Sequence, residues 1–171
     1  CDFVSYPNKL KEQNLYTDKV IEEIEERKDR FQKYDVTTIY FGGGTPSYVD
    51  SKYIEEILNL IRSKFDISKN AEITIEVNPG TVTREKLMDY KKAGINRLSI
   101  GLQSTDNDTL KRIGRIHSYE DFVETYDMAR EIGFDNINVD FMIALPGEDE
   151  WSVAIQISEI INLKPEHISC Y

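Results

Sequence analysis

Cysteine is scarce in this chain, with only Cys1 and Cys170, at opposite ends of 171 residues. A single pair closing nearly the whole chain is a poor framework for a secreted domain, so reduced thiols are expected. No apolar run approaches the roughly 20 residues that span a bilayer, and the start carries no basic, apolar leader. The expectation is a cytoplasmic protein without a transmembrane segment. Positive charge is also short, with 21 basic residues against 31 acidic ones and a net charge of -10. Such a surface repels phosphate backbones, which argues against nucleic acid as a partner.

Several catalytic signatures are missing as well. There is no Gly-x-Gly-x-x-Gly, no phosphate-loop Lys-Ser/Thr and no Gly-x-Ser-x-Gly, so a Rossmann oxidoreductase, a phosphate-loop NTPase and an α/β-hydrolase lose support. His117 and His167 are too far apart, and too isolated from other ligand types, to suggest zinc; each is read as structural. There is no low-complexity tract, flexible linker or short repeat. The chain starts without a methionine and stops directly after a strand-like segment. Residues 1–171 are therefore expected to be the central part of a larger core domain, cut at both ends.

What remains is a regular alternation of short β-branched segments with longer stretches of helical period, the pattern of repeated β-α units around a parallel sheet. Strands are expected at 37–41, 72–77, 97–100, 136–142 and 167–171, near-continuously apolar as strands buried on both faces are. Tyr53, Ile54, Ile57, Leu58 and Ile61 form one helical stripe, capped by Asp50 or Ser51. Thr83 opens a helix closed by Gly94, and Ser118 opens another closed by Gly133. The charge-rich segment 17–33 reads as a helix with a solvated face.

The unusual polar and glycine residues sit just after the strands, where α/β barrels and open sheets place their ligands. Gly42-Gly43-Gly44-Thr45-Pro46-Ser47 would let a ligand approach the backbone, although a glycine run alone also suits a flexible loop. Glu76 lies in an apolar strand, where an unpaired carboxylate is costly; it should meet a ligand or a structural arginine. Gln103 offers an amide that both donates and accepts. Arg115 could clamp a carboxylate, or be an ordinary surface arginine. Asp140, among apolar neighbours, is a natural partner for ribose hydroxyls.

Taken together, Cys1-Asp2-Phe3-Val4-Ser5-Tyr6, Thr38-Ile39-Tyr40-Phe41-Gly42-Gly43-Gly44-Thr45-Pro46-Ser47, Glu76-Val77-Asn78-Pro79 and Ile100-Gly101-Leu102-Gln103-Ser104 resemble the oxygen-independent coproporphyrinogen III oxidase-like radical S-adenosylmethionine (SAM) proteins. The resemblance runs in order along essentially the whole chain. It implies an α/β fold, part of a (β/α)6 TIM-like barrel with parallel strands, and two cofactors, a [4Fe-4S] cluster and SAM. By it, Cys1 is the third cysteine of the cluster motif, with Phe3 beside the cofactor. Gly43, Gly44 and Thr45 would approach the methionine end of SAM; Glu76, Gln103, Arg115 and Asp140 would contact its carboxylate, amine and ribose.

The chemistry so implied is cleavage of SAM by a reduced cluster, which gives a 5′-deoxyadenosyl radical and requires an electron donor. Cys1-Asp2-Phe3 and the stretch from Leu110 to Ser118 resemble the heme chaperone branch, which binds heme and hands it to an acceptor protein. The rival within the family is the oxidase that converts two propionates to vinyl groups, whose cysteine motif usually continues with Gly-Cys. Outside it stands a sugar or nucleotide binder on the same barrel, which would hold no cluster. One departure concerns Phe141-Met142-Ile143-Ala144-Leu145-Pro146-Gly147-Glu148, where Ala144 replaces a usual glycine and puts the backbone approach there in doubt.

Overall fold

The structure, a computed structural model, describes residues 9–31 and 33–171. Five parallel strands form one sheet in the order β1-β2-β3-β4-β5. They are β1 (Val36–Phe41), β2 (Ile67–Val77), β3 (Arg97–Gln103), β4 (Ile137–Phe141) and β5 (His167–Cys170). The helices are α1 (Gln13–Phe31), α2 (Ser51–Lys64), α3 (Arg84–Ala93), α4 (Asn107–Arg112), α5 (Tyr119–Ile132) and α6 (Glu150–Asn162). Strand order equals chain order, so every crossover moves one place in the same direction, as in a TIM-like barrel wall rather than a doubly wound sheet. Helix packing follows suit, α1 on α2, α2 on α3 and α3 on α5.

The expected caps form. Asp50, not Ser51, caps α2 by accepting from the Lys52 amide, and Thr83 caps α3 by accepting from Lys86. Ser118 and Asp121 make a reciprocal capping box on α5. Gly94 and Gly133 close α3 and α5 at φ 88° and 95°, a conformation open to glycine at little cost. The core is built from Ile73, Ile75, Val77, Leu98, Ile100, Ile137, Val139 and Phe141 on the sheet, with Leu58, Leu87, Tyr90, Phe122 and Tyr126 on the helices.

One expectation is corrected. The strands are not apolar on both faces; they alternate. Register pairs Thr38 with Glu72, Tyr40 with Thr74, Glu76 with Ser99, Ser99 with Asn138, Gly101 with Asp140 and Asp140 with Ser169. Successive side chains along a strand point to opposite faces, so these residues share one polar face while the apolar set meets the helices. Among the described residues the helices cover the apolar side, and the polar side, where Thr74, Ser99 and Asn138 are nonetheless buried, is the inner wall of the partial barrel.

Boundaries differ where polarity hid the strand. β2 begins at Ile67 because Ser68 and the exposed Lys69 and Asn70 form an excursion between the Val36–Ile67 and Thr38–Glu72 pairs. β3 runs on to Gln103 through an irregularity after Gly101, three residues beyond the expected end at 100. Two helices have no counterpart among the segments picked out above. α4 spans only six residues, and α6 is apolar on both its packed side and its exposed side, where Trp151 and Ile155 lie, which leaves no clean helical stripe.

Candidate functional site at the strand ends

The loop after β1 is fastened rather than flexible. Pro46–Tyr48 forms a 3-10 turn in which Ser47 is fully buried. The Ser47 hydroxyl meets the Thr81 hydroxyl at 2.6 Å and accepts from the Asn78 amide at 3.0 Å. From α3, the Lys86 ammonium donates to the Ser47 and Tyr48 carbonyls at 2.9 and 3.3 Å, and burial lowers its pKa. This leaves Gly43 and Gly44 in left-handed conformations, φ 84° and 60°, with open space beside Gly43 where a side chain would stand.

Glu76 meets no arginine among the described residues. Its two oxygens accept from the Tyr40 hydroxyl at 2.8 Å and from the Gly43 amide at 3.0 Å. The carboxylate on β2 thereby orients the glycine loop of β1. The Tyr40 ring is exposed, yet burial at its hydroxyl end, reinforced by the Glu76 hydrogen bond and the Glu76 and Asp140 charges, pushes the phenol up to about 12.

Arg115 is not a surface arginine. Just beyond α4 the chain turns at Gly114, φ 75°, and the Arg115 amide turns back to the Leu110 carbonyl at 2.9 Å, so the chain reverses towards the sheet. The half-buried guanidinium donates to Asn78 Oδ1 at 2.6 Å and to the Gly101 carbonyl at 3.2 Å. No carboxylate among the described residues lies within ion-pair distance of it, and burial lowers its pKa against the more distant pull of Asp140. A side chain on Gly101 would stand 3.0 Å from Gln103 Nε2, 3.1 Å from Arg115 Nη2 and 3.2 Å from Asn78 Oδ1, so three polar groups converge over one bare backbone position. Gln103 itself has φ 72°, a strained conformation for a residue with a side chain. Asn78 also donates to Thr45 Oγ1 at 3.3 Å, which joins this group to the glycine loop.

Asp140 is held from below. It accepts from the Ser99 hydroxyl at 3.0 Å and from Asn138 Nδ2 at 2.9 Å. Buried Asn138 in turn accepts from His167 Nδ1 and from the Ser169 hydroxyl at 3.0 Å, so a hydrogen-bonded row crosses β3, β4 and β5. The loop after β4 keeps its turn, with Ala144 at φ 61° in the conformation a glycine would adopt and Arg112 donating to the Pro146 carbonyl. His117 is buried, with Nε2 3.2 Å from the Leu102 carbonyl.

The structure thus brings Gly43, Gly44, Thr45, Glu76, Gln103, Arg115 and Asp140 to one end of one sheet face. Cys1 and Phe3 lie outside the described residues. The sequence reading missed Tyr40, Asn78, Ser99 and Asn138 as members of the site. Their signal was present as polar residues recurring every second position in β1 to β4.

With this geometry in view, comparison with known proteins is informative. The sequence profile of the Radical SAM superfamily matches residues 1–155. The heme chaperone HemW of Escherichia coli (strain K12) is 34% identical over 172 residues, covering 100% of this chain and 46% of that protein. The oxygen-independent coproporphyrinogen-III oxidase-like protein HemZ of Bacillus subtilis (strain 168) is 42% identical over 138 residues, 80% of this chain and 28% of that one. Among solved structures, coproporphyrinogen III oxidase HemN from Escherichia coli, titled a radical SAM enzyme, superposes with a TM-score of 0.88 at 29% identity, over 100% of this chain and 40% of its own. The chain spans less than half the length of each of these proteins.

Proposed function

The chain belongs to the radical SAM superfamily, and from that premise we propose that its strand ends hold SAM beside a [4Fe-4S] cluster in a heme chaperone. The observation that carries the SAM part is Arg115, a half-buried cation with no carboxylate partner among the described residues. An uncompensated guanidinium at a barrel mouth calls for an anion, and the carboxylate of SAM supplies one. Arg115 and Gln103 would receive that carboxylate, Glu76 the amine and Asp140 the ribose. The open, left-handed backbone of Gly43 and Gly44, with Thr45, suits a close approach by the methionine end.

Cys1 would be one of three cysteines on the cluster, with Phe3 against the cofactor. When bound, the reduced cluster and SAM together supply a 5′-deoxyadenosyl radical. The protein's own part is to orient the ligand on rigid strand ends and to exclude water. Similarity to heme chaperones over the whole of this chain, though over less than half of their own length, supports the heme role, with heme, an acceptor protein and an electron donor as partners. The polar inner wall is compatible with it. A reducing, cytoplasmic setting goes with an oxygen-sensitive cluster; among the described residues no helix is long and apolar enough to cross a membrane.

The test is anaerobic iron-sulfur reconstitution of the full-length protein, followed by parallel assays of heme binding, SAM cleavage and coproporphyrinogen decarboxylation. A cluster with stable heme binding and no decarboxylation is the expected result. Decarboxylation would assign the protein to the oxidases, and failure to assemble any cluster would sink the reading as a whole.

A further inference from the structure

The hydrogen bonding of the glycine loop leaves one participant without a role, the tyrosine two residues before it. Tyr40 stands on the inner face of β1, in register with Thr74 and diagonal to Glu76. Its hydroxyl donates to Glu76 Oε1 at 2.8 Å, while the Gly43 amide donates to Oε2 at 3.0 Å. Each carboxylate oxygen is thus engaged once, by donors from the same β1 segment, and keeps one further acceptor site.

Gly42 makes this contact sterically possible. A Cβ there would lie 2.4 Å from Tyr40 Cε1 and 2.9 Å from Glu76 Oε1. The ring therefore lies across a bare backbone position, and the first glycine of the triplet is required by the tyrosine rather than by a ligand. Burial, the Glu76 hydrogen bond and the Glu76 and Asp140 charges push the phenol's pKa up to about 12, so it stays a hydrogen-bond donor over the whole working pH range. A neutral, permanent donor can fix one carboxylate without competing for the cationic group of a ligand.

We propose that Tyr40 is a positioning residue for the SAM amine, acting through Glu76: with Gly43 it holds both carboxylate oxygens so that their remaining acceptor sites converge on an ammonium group. This assignment rests on the SAM-binding reading above. Tyr40 does not itself touch the ligand, and its ring is solvent-exposed, so its removal leaves the fold intact while loosening the carboxylate.

The experiment measures the equilibrium affinity for SAM of the reconstituted full-length protein in four forms: wild type, Tyr40→Phe, Glu76→Gln and the double variant. Thermal midpoints are measured alongside. Tyr40→Phe is expected to weaken SAM binding about 5- to 10-fold, less than the roughly 10- to 100-fold of a direct hydrogen bond to a charged group because Tyr40 acts at one remove, with the midpoint moved by less than about 2 °C. In the Glu76→Gln background the same substitution should change affinity less than about 2-fold, because a residue that works through Glu76 has nothing left to position. Unchanged affinity in Tyr40→Phe, or an equal loss in both backgrounds, overturns the assignment. If the wild type with an intact cluster fails to bind SAM, the functional reading falls, and this assignment with it.

Discussion

Replacing Arg115 by methionine separates a structural arginine from one that awaits an anion. The guanidinium makes two hydrogen bonds, to Asn78 Oδ1 at 2.6 Å and to the Gly101 carbonyl at 3.2 Å. Their net contribution to folding is about 1 kcal/mol each, since both acceptors regain water at an open mouth when the donor leaves. Against this stands the cost of holding a cation half out of water with no carboxylate partner among the described residues, a penalty of similar order that methionine removes. The two effects nearly cancel, so Arg115→Met should move the unfolding free energy by no more than about 1 kcal/mol, or the thermal midpoint by about 3 °C.

Ligand affinity should not be balanced in this way. A charge-assisted contact to the SAM carboxylate is worth about 1.5 to 3 kcal/mol, so its loss weakens binding about 10- to 100-fold. Denaturant unfolding of the chain, paired with equilibrium SAM binding to the reconstituted full-length protein, reads both quantities. A fall in stability of more than about 2 kcal/mol would make Arg115 a structural residue and refute the reasoning. Unchanged SAM affinity would refute it from the other side.

Three further outcomes follow from the same geometry. Ala144→Gly should raise the thermal midpoint by about 1 to 2 °C, because relief of a left-handed alanine at φ 61° outweighs the added freedom of the unfolded chain; Ala144→Val should lower it, and a stabilised valine variant would refute the strain. Asn138→Leu should cost about 2 to 3 kcal/mol in denaturant unfolding, since it strips the Ser99, Asp140, His167 and Ser169 groups of their common partner inside the wall; a loss under about 0.5 kcal/mol would show the row to be ornamental. Burial, helped by the nearby Arg115 charge, lowers the pKa of His117, so the unfolded state takes up a proton first as pH falls. The neutral ring's contribution is complete above about pH 6.5 and is lost below it, at up to about 1.4 kcal/mol per pH unit. His117→Gln should flatten that acid limb between pH 6.5 and 5.5, and an unaltered limb would assign it to other groups.

Much of the fold was legible because its signals are local. Polar caps at Asp50, Thr83 and Ser118 and the left-handed glycines 94 and 133 act within a few residues, so helix ends could be read off directly. Five strands were visible as β-branched runs, but the reading of them as apolar on both faces missed the alternation that separates core from wall. Short strands explain the error: in Asn138-Val139-Asp140-Phe141 only two residues point inward, too few to establish a period without the neighbouring strands in register. The site was legible to a similar depth. Residues placed just after strands could be collected from position alone, whereas the residues that aim them belong to other strands. Glu76 is aimed by Tyr40, 36 positions away, and Arg115 by Asn78, 37 positions away. Such pairings are set by sheet register, which a single sequence does not display.

The inner wall also bears on which chemistry the barrel can host. TIM-like barrels commonly fill their interior with branched apolar side chains; here Thr38, Tyr40, Glu72, Thr74, Glu76, Ser99, Asn138 and Asp140 occupy the corresponding face. Polar groups on such a wall are tolerable only when paired with one another or with a ligand. Below the mouth they are paired among themselves: Glu72 accepts from the Thr74 hydroxyl at 3.3 Å and lies 3.8 Å from Arg97, and Ser99, Asn138 and Asp140 form a closed set. At the mouth the pairing among the described residues is incomplete, with Arg115 lacking a carboxylate and Glu76 keeping acceptor sites to spare. The change from satisfied to unsatisfied groups falls at the C-terminal ends of the strands, where a zwitterionic ligand with one carboxylate and one amine would complete both residues at once. A neutral sugar would satisfy Asp140 but leave Arg115 without its anion, and for that reason the cofactor reading is preferred over a simple sugar binder on the same barrel.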